Sequence, residues 1–284
     1  KYINFSMIIW IASYPKSGNT YVRSFLSAYY FSEDGEFSFD LLKNIKQFPS
    51  DHFFERNLEN VDEASKEWIP EQRKIKSNKK ILFLKTHSCL GLYKKQPFTT
   101  SEFSLGGIYI VRDPRNVITS VMNHFELNID DAFKFIKDNN KNTMDPNTAD
   151  YRSWVLLSSW SNHYRSWIKS NNFRKLLVKY EDFEDEKYET FRDIVVFTNT
   201  LLNKTEKVNK KKLERAIETT NFNVLKNKEK SEGFDEALYS NEDMKKKVFF
   251  NLGFNNRWKK LLKEEIKEKI EIEFNKEMRE LGYL

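Results

Sequence analysis

The chain has 284 residues, 39% of them hydrophobic and 15% aromatic, with a net charge of +6. This composition supports a large folded core, and no apolar stretch approaches the ~20 residues that cross a bilayer, so no membrane span is expected. The basic balance does not indicate a nucleic-acid partner, because lysines alternate with glutamates over residues 259–279, and the single cysteine, Cys89, fits a reducing, cytoplasmic compartment.

Short apolar runs, each leading into polar residues, are the predicted strands. They are Met7–Ala12, Ile81–Leu84, Ile108–Val111 and Leu176–Val178. Unbroken apolar runs separated by helical stretches are typical of a parallel sheet with both faces covered. We therefore expect an α/β fold, a three-layer sandwich whose central, mostly parallel sheet has helices on both faces. Ligands of such sheets bind beyond the carboxyl ends of the strands, where all these polar clusters fall.

Helices are predicted between and after the strands. Pro114 suits the first position of a helix, a second helix is expected over Tyr151–Ile168, and an apolar stripe from Trp258 to Met278 predicts a C-terminal helix docked on the body. Without a linker or repeat, one domain over residues 1–284 is expected. Polar, weakly periodic segments are expected to be insertions or lids rather than sheet, at about 32–78, 126–150 and 227–248.

The turn after the first strand has the features of an anion site. Small residues join a buried strand to a helix N-terminus, where backbone N–H groups and the helix dipole converge. Against the P-loop pattern G-x-x-x-x-G-K-[ST], Ser13 replaces the first glycine, Asn19 replaces the lysine and Lys16 lies mid-loop. A kinase would thus lack its usual cation on the transferred phosphate, and a nucleotide with a single 5′-phosphate is favoured. The alternative is an ordinary strand–turn–helix junction with a surface lysine.

Three segments together resemble the family of sulfotransferases that use 3′-phosphoadenosine 5′-phosphosulfate (PAPS). The loop Y-P-K-S-G-N-T at 14–20 resembles the 5′-phosphosulfate loop of that family. The segment L-K-T-H at 84–87 resembles its K-T-H segment, and R-D-P-R-N-V-I-T-S at 112–120 resembles its 3′-phosphate motif. The resemblance implies PAPS as the sulfuryl donor, 3′-phosphoadenosine 5′-phosphate (PAP) as the product, and a P-loop-like fold.

The resemblance also implies roles for single residues. His87 is expected to be the general base that takes the acceptor proton, since histidine titrates near neutral pH. Lys16 is expected to stabilise the charge that grows as the S–O bond breaks, with Lys85 beside the transferring group. His124 and His163 are the competing bases. The other expected ligands of the 5′-phosphate are Ser17, Gly18, Asn19 and Thr20. The expected ligands of the 3′-phosphate are Arg112 and Ser120. Ser120 is also expected to be one of the catalytic residues.

Weaker matches concern the nucleoside part of the donor. Tyr21 stands where the family has Trp and can still offer a stacking face. Tyr180 in K-Y-E-D, and Thr220 and Phe222 in T-N-F, resemble family residues that lie against the nucleotide.

The C-terminal loop departs from the family. The family's R-K-G-x-x-G-D-W-K reads N-L-G-F-N-N-R-W-K here, so Gly253 is retained while Asn251 replaces arginine. Arg257 or a lysine of 245–247 is expected to reach the 3′-phosphate instead, or that phosphate is held less tightly. The usual dimer motif is not intact, since Lys263-Glu264 replace Thr-Val, and that dimer is not expected.

These observations predict an enzyme that moves a sulfuryl group from PAPS to an acceptor hydroxyl, with an amine as the second choice, on a small molecule or glycan. No metal is expected, because the protein supplies the positive charge that Mg²⁺ supplies in kinases. Two alternatives stay open. One is a P-loop kinase of a nucleoside or small molecule, which Asn19 argues against, and the other is an inactive PAP-binding module, supported only by the altered C-terminal loop.

Overall fold

A parallel sheet forms the centre of the computed structural model, which describes residues 7–56, 58–75, 82–144, 154–237, 239 and 245–284. The strands are β1 (Ile8–Ser13), β2 (Lys46–Gln47), β3 (Leu82–Thr86), β4 (Leu92–Tyr93), β5 (Gln96–Pro97), β6 (Ser104–Val111), β7 (Asn142–Thr143), β8 (Val155–Leu156) and β9 (Arg174–Lys179). The central sheet has the order β2-β3-β1-β6-β9, and its neighbouring strands run parallel. The predicted α/β sheet is confirmed.

Helices connect the strands and cover both faces of the sheet. They are α1 (Asn19–Phe31), α2 (Val61–Lys74), α3 (Pro114–Phe125), α4 (Ile129–Lys137), α5 (Trp160–Ile168), α6 (Asp182–Asp185), α7 (Lys187–Leu201), α8 (Lys210–Thr219), α9 (Phe222–Glu232), α10 (Trp258–Leu261), α11 (Glu264–Glu273) and α12 (Asn275–Glu280). Short 3₁₀ turns lie at Phe39–Asn44 and Gly253–Asn255. Among the helices of the described residues, none combines the length and apolar character needed to cross a bilayer.

Strand β1 explains why the sequence shows an unbroken apolar run. Ile8, Trp10 and Ala12 pack into the apolar cluster that contains α3 and α5. Ile9 and Ile11 point to the opposite face and pack with α1 and α7. Because side chains alternate between two covered faces, every position of the strand is buried, and each large apolar side chain contributes roughly 1.5–3 kcal/mol.

The start of α3 is as predicted, and two other helix predictions need correction. Pro114 opens α3, and Asp113 caps it by accepting a hydrogen bond from the Arg115 backbone at 2.9 Å. The helix predicted over Tyr151–Ile168 begins only at α5, because the Ser159 side chain caps it and β8 pairs with β7 just before; residues 151–153 lie outside the described residues. The predicted C-terminal helix is broken into α10, α11 and α12.

The predicted lid segments are partly integrated into the body. Segment 32–78 contributes β2, which pairs with Leu84 and Lys85 at one edge of the sheet. A two-residue strand is too short for a hydrophobic period, so the sequence pattern does not reveal it. Segment 126–150 forms α4 and β7, and its residues 145–150 lie outside the described residues. Segment 227–248 continues α9 to Glu232.

The register brings the predicted polar clusters to one edge. Ala12 of β1 lies opposite Thr86 of β3 and Tyr109 of β6. Val111 of β6 lies opposite Lys179 of β9. The four strands therefore end at the same level, and the residues after each of them meet beyond the carboxyl edge.

Candidate active site

The turn between β1 and α1 has a compact shape that depends on a glycine. Gly18 adopts φ 98°, and a Cβ there would lie 2.4 Å from Cδ2 of Tyr180, so only glycine fits. The Asn19 side chain donates to the Ile11 carbonyl at 3.0 Å and to Ser13 Oγ at 3.2 Å. Asn19 thereby pins the loop to the strand, and Lys16 is the cation of the turn.

Lys16 is a partly buried cation on the cavity wall. Its Nζ lies 3.4 Å from Nδ1 of His124 and 4.7 Å from the ring centre of Phe249, and among the described residues no carboxylate forms an ion pair with it. Burial, and then the charges of Arg112 and Lys85, lower the pKa of Lys16 to about 7. A phosphate bound in this turn would favour the charged ammonium.

His87 is neutral and oriented by the end of β1. Its Nδ1 lies 2.7 Å from the Ser13 carbonyl oxygen, which can only accept, so the ring proton is on Nδ1 and the lone pair on Nε2. Burial, and then the charge of Lys85, lower the pKa of His87 to about 3. This tautomer is the one that a general base acting through Nε2 requires.

Arg112 and Ser120 line the same cavity as Lys16. Arg112 donates to the Lys16 carbonyl at 3.0 Å and to the Gly253 carbonyl at 3.5 Å, and its guanidinium lies 4.2 Å above the Tyr180 ring. Its buried Nε has no hydrogen-bond partner among the described residues. An orphaned guanidinium N–H beside a cavity is suited to a phosphate oxygen.

Aromatic rings line the same cavity. Phe254 stacks on Tyr180 with ring centres 5.1 Å apart and meets Tyr21 edge-on at 6.2 Å. The Phe222 ring packs so closely on Gly253 that a Cβ there would lie 2.7 Å from it. Flat apolar walls of this kind are suited to a purine ring.

A family model described as "Sulfotransferase domain" matches residues 7–282. The chain belongs to this sulfotransferase family. It is 24% identical over 281 residues to Sulfotransferase 1E1 of Mus musculus, covering 95% of this chain and 83% of the relative.

Two solved structures share the fold. The crystal structure of mouse sulfotransferase SULT7A1 complexed with PAP has a TM-score of 0.59 at 18% identity, covering 96% of this chain and 85% of that chain. Retinol dehydratase in a complex with retinol and PAP has a TM-score of 0.57 at 18% identity, covering 96% and 81%. At this level of identity the likeness shows a common architecture.

Most of the predicted site residues of this sulfotransferase line one cavity. They are Lys16, Gly18, Asn19, Thr20, Tyr21, His87, Arg112, Ser120, Tyr180, Phe222, Asn251 and Gly253. Their convergence from the ends of β1, β3, β6 and β9 and from α1, α3 and α9 is the arrangement that the strand-end pattern predicted.

Three predicted site residues do not line the cavity. Thr220 is fully buried, and its hydroxyl donates to the Ala216 carbonyl at 2.6 Å. The hydroxyl therefore stabilises the C-terminal end of α8 and does not face the cavity. The Ser17 side chain is also buried, with no partner for its Oγ among the described residues. Lys85 lies beneath the wall, 1% exposed, rather than facing the space.

Lys85 belongs to a buried ionic cluster that the sequence did not reveal. Its Nζ lies 3.1 Å from Glu236 Oε2, and the other oxygen of Glu236 pairs with Arg23. Burial alone would raise the pKa of Glu236, but Arg23 and Lys85 outweigh it and lower that pKa to about 2. A carboxylate from the predicted lid segment 227–248 is therefore fixed behind the active site.

The two competing histidines have different places. His163 is fully buried, with Nδ1 2.9 Å from the Tyr109 hydroxyl and Nε2 3.0 Å from the His87 carbonyl, so it supports the strand end and does not line the cavity. His124 lines the cavity, and burial followed by the charge of Lys16 lowers its pKa to about 2.

The remaining cavity wall comes partly from a predicted lid. Thr143 and Met144, from segment 126–150, line it together with Phe125 and Val155. This part of the wall carries no phosphate-binding group and is mainly apolar, so it is suited to an organic molecule rather than to the nucleotide phosphates.

Proposed function

We propose that this sulfotransferase transfers the sulfuryl group of PAPS to an acceptor hydroxyl, with an amine as the second choice. The observation that carries the proposal is the presence of two cationic side chains on one cavity, Lys16 in the first turn and Arg112 with its unpartnered Nε. A donor with a 5′-phosphosulfate and a 3′-phosphate fits that pairing, and a 3′-unsubstituted nucleotide does not need it.

In the proposed reaction the acceptor oxygen bonds to sulfur while the bond between sulfur and the bridging oxygen of PAPS breaks. Nε2 of His87 receives the acceptor proton. Lys16 stabilises the negative charge that PAP carries away on its 5′-phosphate. The low pKa of His87, about 3, means that its base form is present at neutral pH, and an anionic donor beside the ring would raise that pKa.

The backbone of the first turn is proposed to hold the 5′-phosphate, while Tyr21, Tyr180 and Phe222 enclose the purine. Lys85 is proposed to act on the transferring group from behind the wall, through the field of its charge. The mainly apolar wall that contains Phe125 and Met144 supports a small organic acceptor. We further propose that residues 1–284 form one domain and that the enzyme acts in the cytoplasm.

The test is turnover of PAPS by the purified chain with a panel of phenols, alcohols, sugars and amines. PAP release that depends on one acceptor class, and that survives EDTA, supports the proposal. Phosphoryl transfer from ATP that disappears with EDTA and returns with Mg²⁺ would support the kinase alternative. Tight PAP binding with no turnover of any acceptor would support an inactive binding module.

A further inference from the structure

The C-terminal loop lacks two basic residues of the family pattern, and a neutral amide stands beside Ser120 instead. Asn256 is 5% exposed and lines the cavity. Its Nδ2 donates to the Asn116 carbonyl at 2.9 Å and to Ser120 Oγ at 3.2 Å, and its Oδ1 accepts from Thr119 Oγ1 at 2.8 Å. These contacts with α3 hold the amide in one orientation.

The loop that carries Asn256 is itself tied to α3. The backbone N–H of Trp258 donates to Oδ1 of Asn116 at 2.9 Å, while the carbonyl of Asn116 accepts from Asn256. Asn116 thus holds the chain on both sides of Arg257. The position of the Asn256 amide is therefore built into the fold.

The Asn256 amide determines in which direction the Ser120 hydroxyl can donate its hydrogen. A hydroxyl has one hydrogen to donate, and Ser120 Oγ already accepts from Asn256, so its hydrogen is directed elsewhere. Among the described residues Ser120 donates to no protein acceptor, and it faces the cavity together with Arg112. The hydroxyl hydrogen is thus available to an anionic oxygen bound next to Arg112.

Two of the cations expected to replace the missing basic residues, Arg257 and Lys247, have other partners. Arg257 pairs with Glu184 at 2.6 Å on the surface. Lys247 donates to the carbonyls of Asn123 and His124 at 2.7 Å and 3.1 Å. Neither cation contacts Ser120.

Resting on the proposed function, we propose that Asn256 is a positioning residue for recognition of the donor's 3′-phosphate. By donating to Ser120 Oγ, it leaves the hydrogen of the Ser120 hydroxyl to point toward that phosphate, while the second hydrogen of its own amide is held by the Asn116 carbonyl. The nucleotide site thereby recognises the 3′-phosphate without the basic pair of the family.

The experiment compares PAP with AMP, which differ only by the 3′-phosphate, by calorimetry on the full chain. Asn256→Asp keeps the shape but cannot donate to Ser120, draws the serine hydrogen to itself and adds a negative charge. It should weaken PAP binding about tenfold or more and leave AMP binding within about threefold. Asn255→Asp is the matched control, since it adds the same charge at an exposed neighbour and should change neither affinity.

Asn256→Ala, which only removes the amide, should weaken PAP binding about threefold and leave AMP binding unchanged. Equal weakening of PAP and AMP by either Asn256 variant would indicate a purely structural role and overturn the inference. So would an unchanged PAP affinity in Asn256→Asp. A wild-type chain that binds PAP and AMP equally would instead overturn the proposed function itself.

Discussion

At the residue His87, burial sets the protonation state before a substrate binds. The pKa of about 3 keeps the imidazole neutral, and the Ser13 carbonyl fixes the proton on Nδ1. His87→Ala removes the proposed base but no phosphate ligand, so turnover should fall by about 10²–10⁴-fold. PAP affinity should stay within about threefold, because the base acts on the acceptor. Steady-state rates with the best acceptor and calorimetry with PAP measure the two effects.

His52→Ala is the control, because His52 is exposed and does not line the cavity. It should leave rate and affinity unchanged. Near-full activity of His87→Ala would contradict the assignment and move the base to His124, the other histidine on the wall.

The pKa of Lys16 leads us to expect that nucleotide affinity depends on pH. Its pKa in the free protein is about 7, since burial and then Arg112 disfavour the charge. A bound phosphate raises that pKa, so binding takes up a proton above pH ~7. PAP affinity should be full below pH ~7 and fall as pH rises toward ~9, by at most about tenfold per pH unit.

Lys16→Arg is the comparison for this pH profile, because a guanidinium stays charged throughout and should give a flat profile. In the free protein the pKa values of His87 and His124, about 3 and about 2, lie far below this range, so both rings start neutral. Calorimetry across this range makes the measurement. A flat wild-type profile would show that Lys16 does not bind the phosphate.

At the scale of single elements, the turn between β1 and α1 depends on Gly18. A Cβ there would meet Tyr180 at 2.4 Å and force a side chain into the left-handed region, at φ 98°. Gly18→Ala should therefore lower the free energy of unfolding by about 2–5 kcal/mol, combining the two costs. It should also weaken PAP binding, because the displaced Tyr180 supports Arg112 at 4.2 Å. Urea unfolding and calorimetry measure both.

Gly91→Ala is the matched control for that glycine. A Cβ at Gly91 meets nothing within 4 Å, so its effect on unfolding should stay within about 0.5 kcal/mol. If Gly18→Ala were as stable as Gly91→Ala and bound PAP normally, the loop would be more adaptable than its geometry indicates.

The same elements show what a local pattern can and cannot predict. Strand β1 is predicted almost to the residue because both its faces are buried. Strand β6 begins at Ser104, earlier than predicted, since Gly106 and Gly107 weaken the apolar pattern. A Cβ at Gly106 would lie 2.4 Å from Cδ1 of Leu201, so any other residue there would displace that side chain. That contact is long-range, so the sequence pattern alone could not anticipate it.

The residues of the candidate site also fall into those that a local sequence pattern predicts and those that only long-range contacts reveal. Lys16 and Arg112 follow strands within contiguous motifs, so residue order and chemistry predict them. The proposed role of Asn256 depends on its hydrogen bond to Ser120, which is 136 residues away in the sequence. Glu236 matters because it pairs with Lys85, which is 151 residues away. Both lie in segments without hydrophobic periodicity, and only the tertiary fold reveals their partners.

At the scale of the whole molecule, Glu236 joins three distant parts of the chain. Its carboxylate lies between Arg23 of α1 and Lys85 of β3, whose side chains are 4% and 1% exposed. Removing the shared carboxylate would leave two buried cations without this anion between them, and breaking a buried ionic cluster in this way is strongly destabilising.

The charges that remain in this cluster determine which of two variants should lose more free energy of unfolding. Arg23→Met leaves one carboxylate with one ammonium, a balanced pair, whereas Glu236→Gln leaves two buried cations with a neutral amide between them. Glu236→Gln should therefore be the more damaging, lowering the free energy of unfolding by about 3–5 kcal/mol. Asp235→Asn is the control, since the Asp235 side chain is 100% exposed and its loss should cost less than about 0.5 kcal/mol. Urea unfolding of the three variants measures this order. If Arg23→Met proved less stable than Glu236→Gln, charge balance would not be the dominant factor. Packing of the arginine side chain would then hold this segment behind the active site.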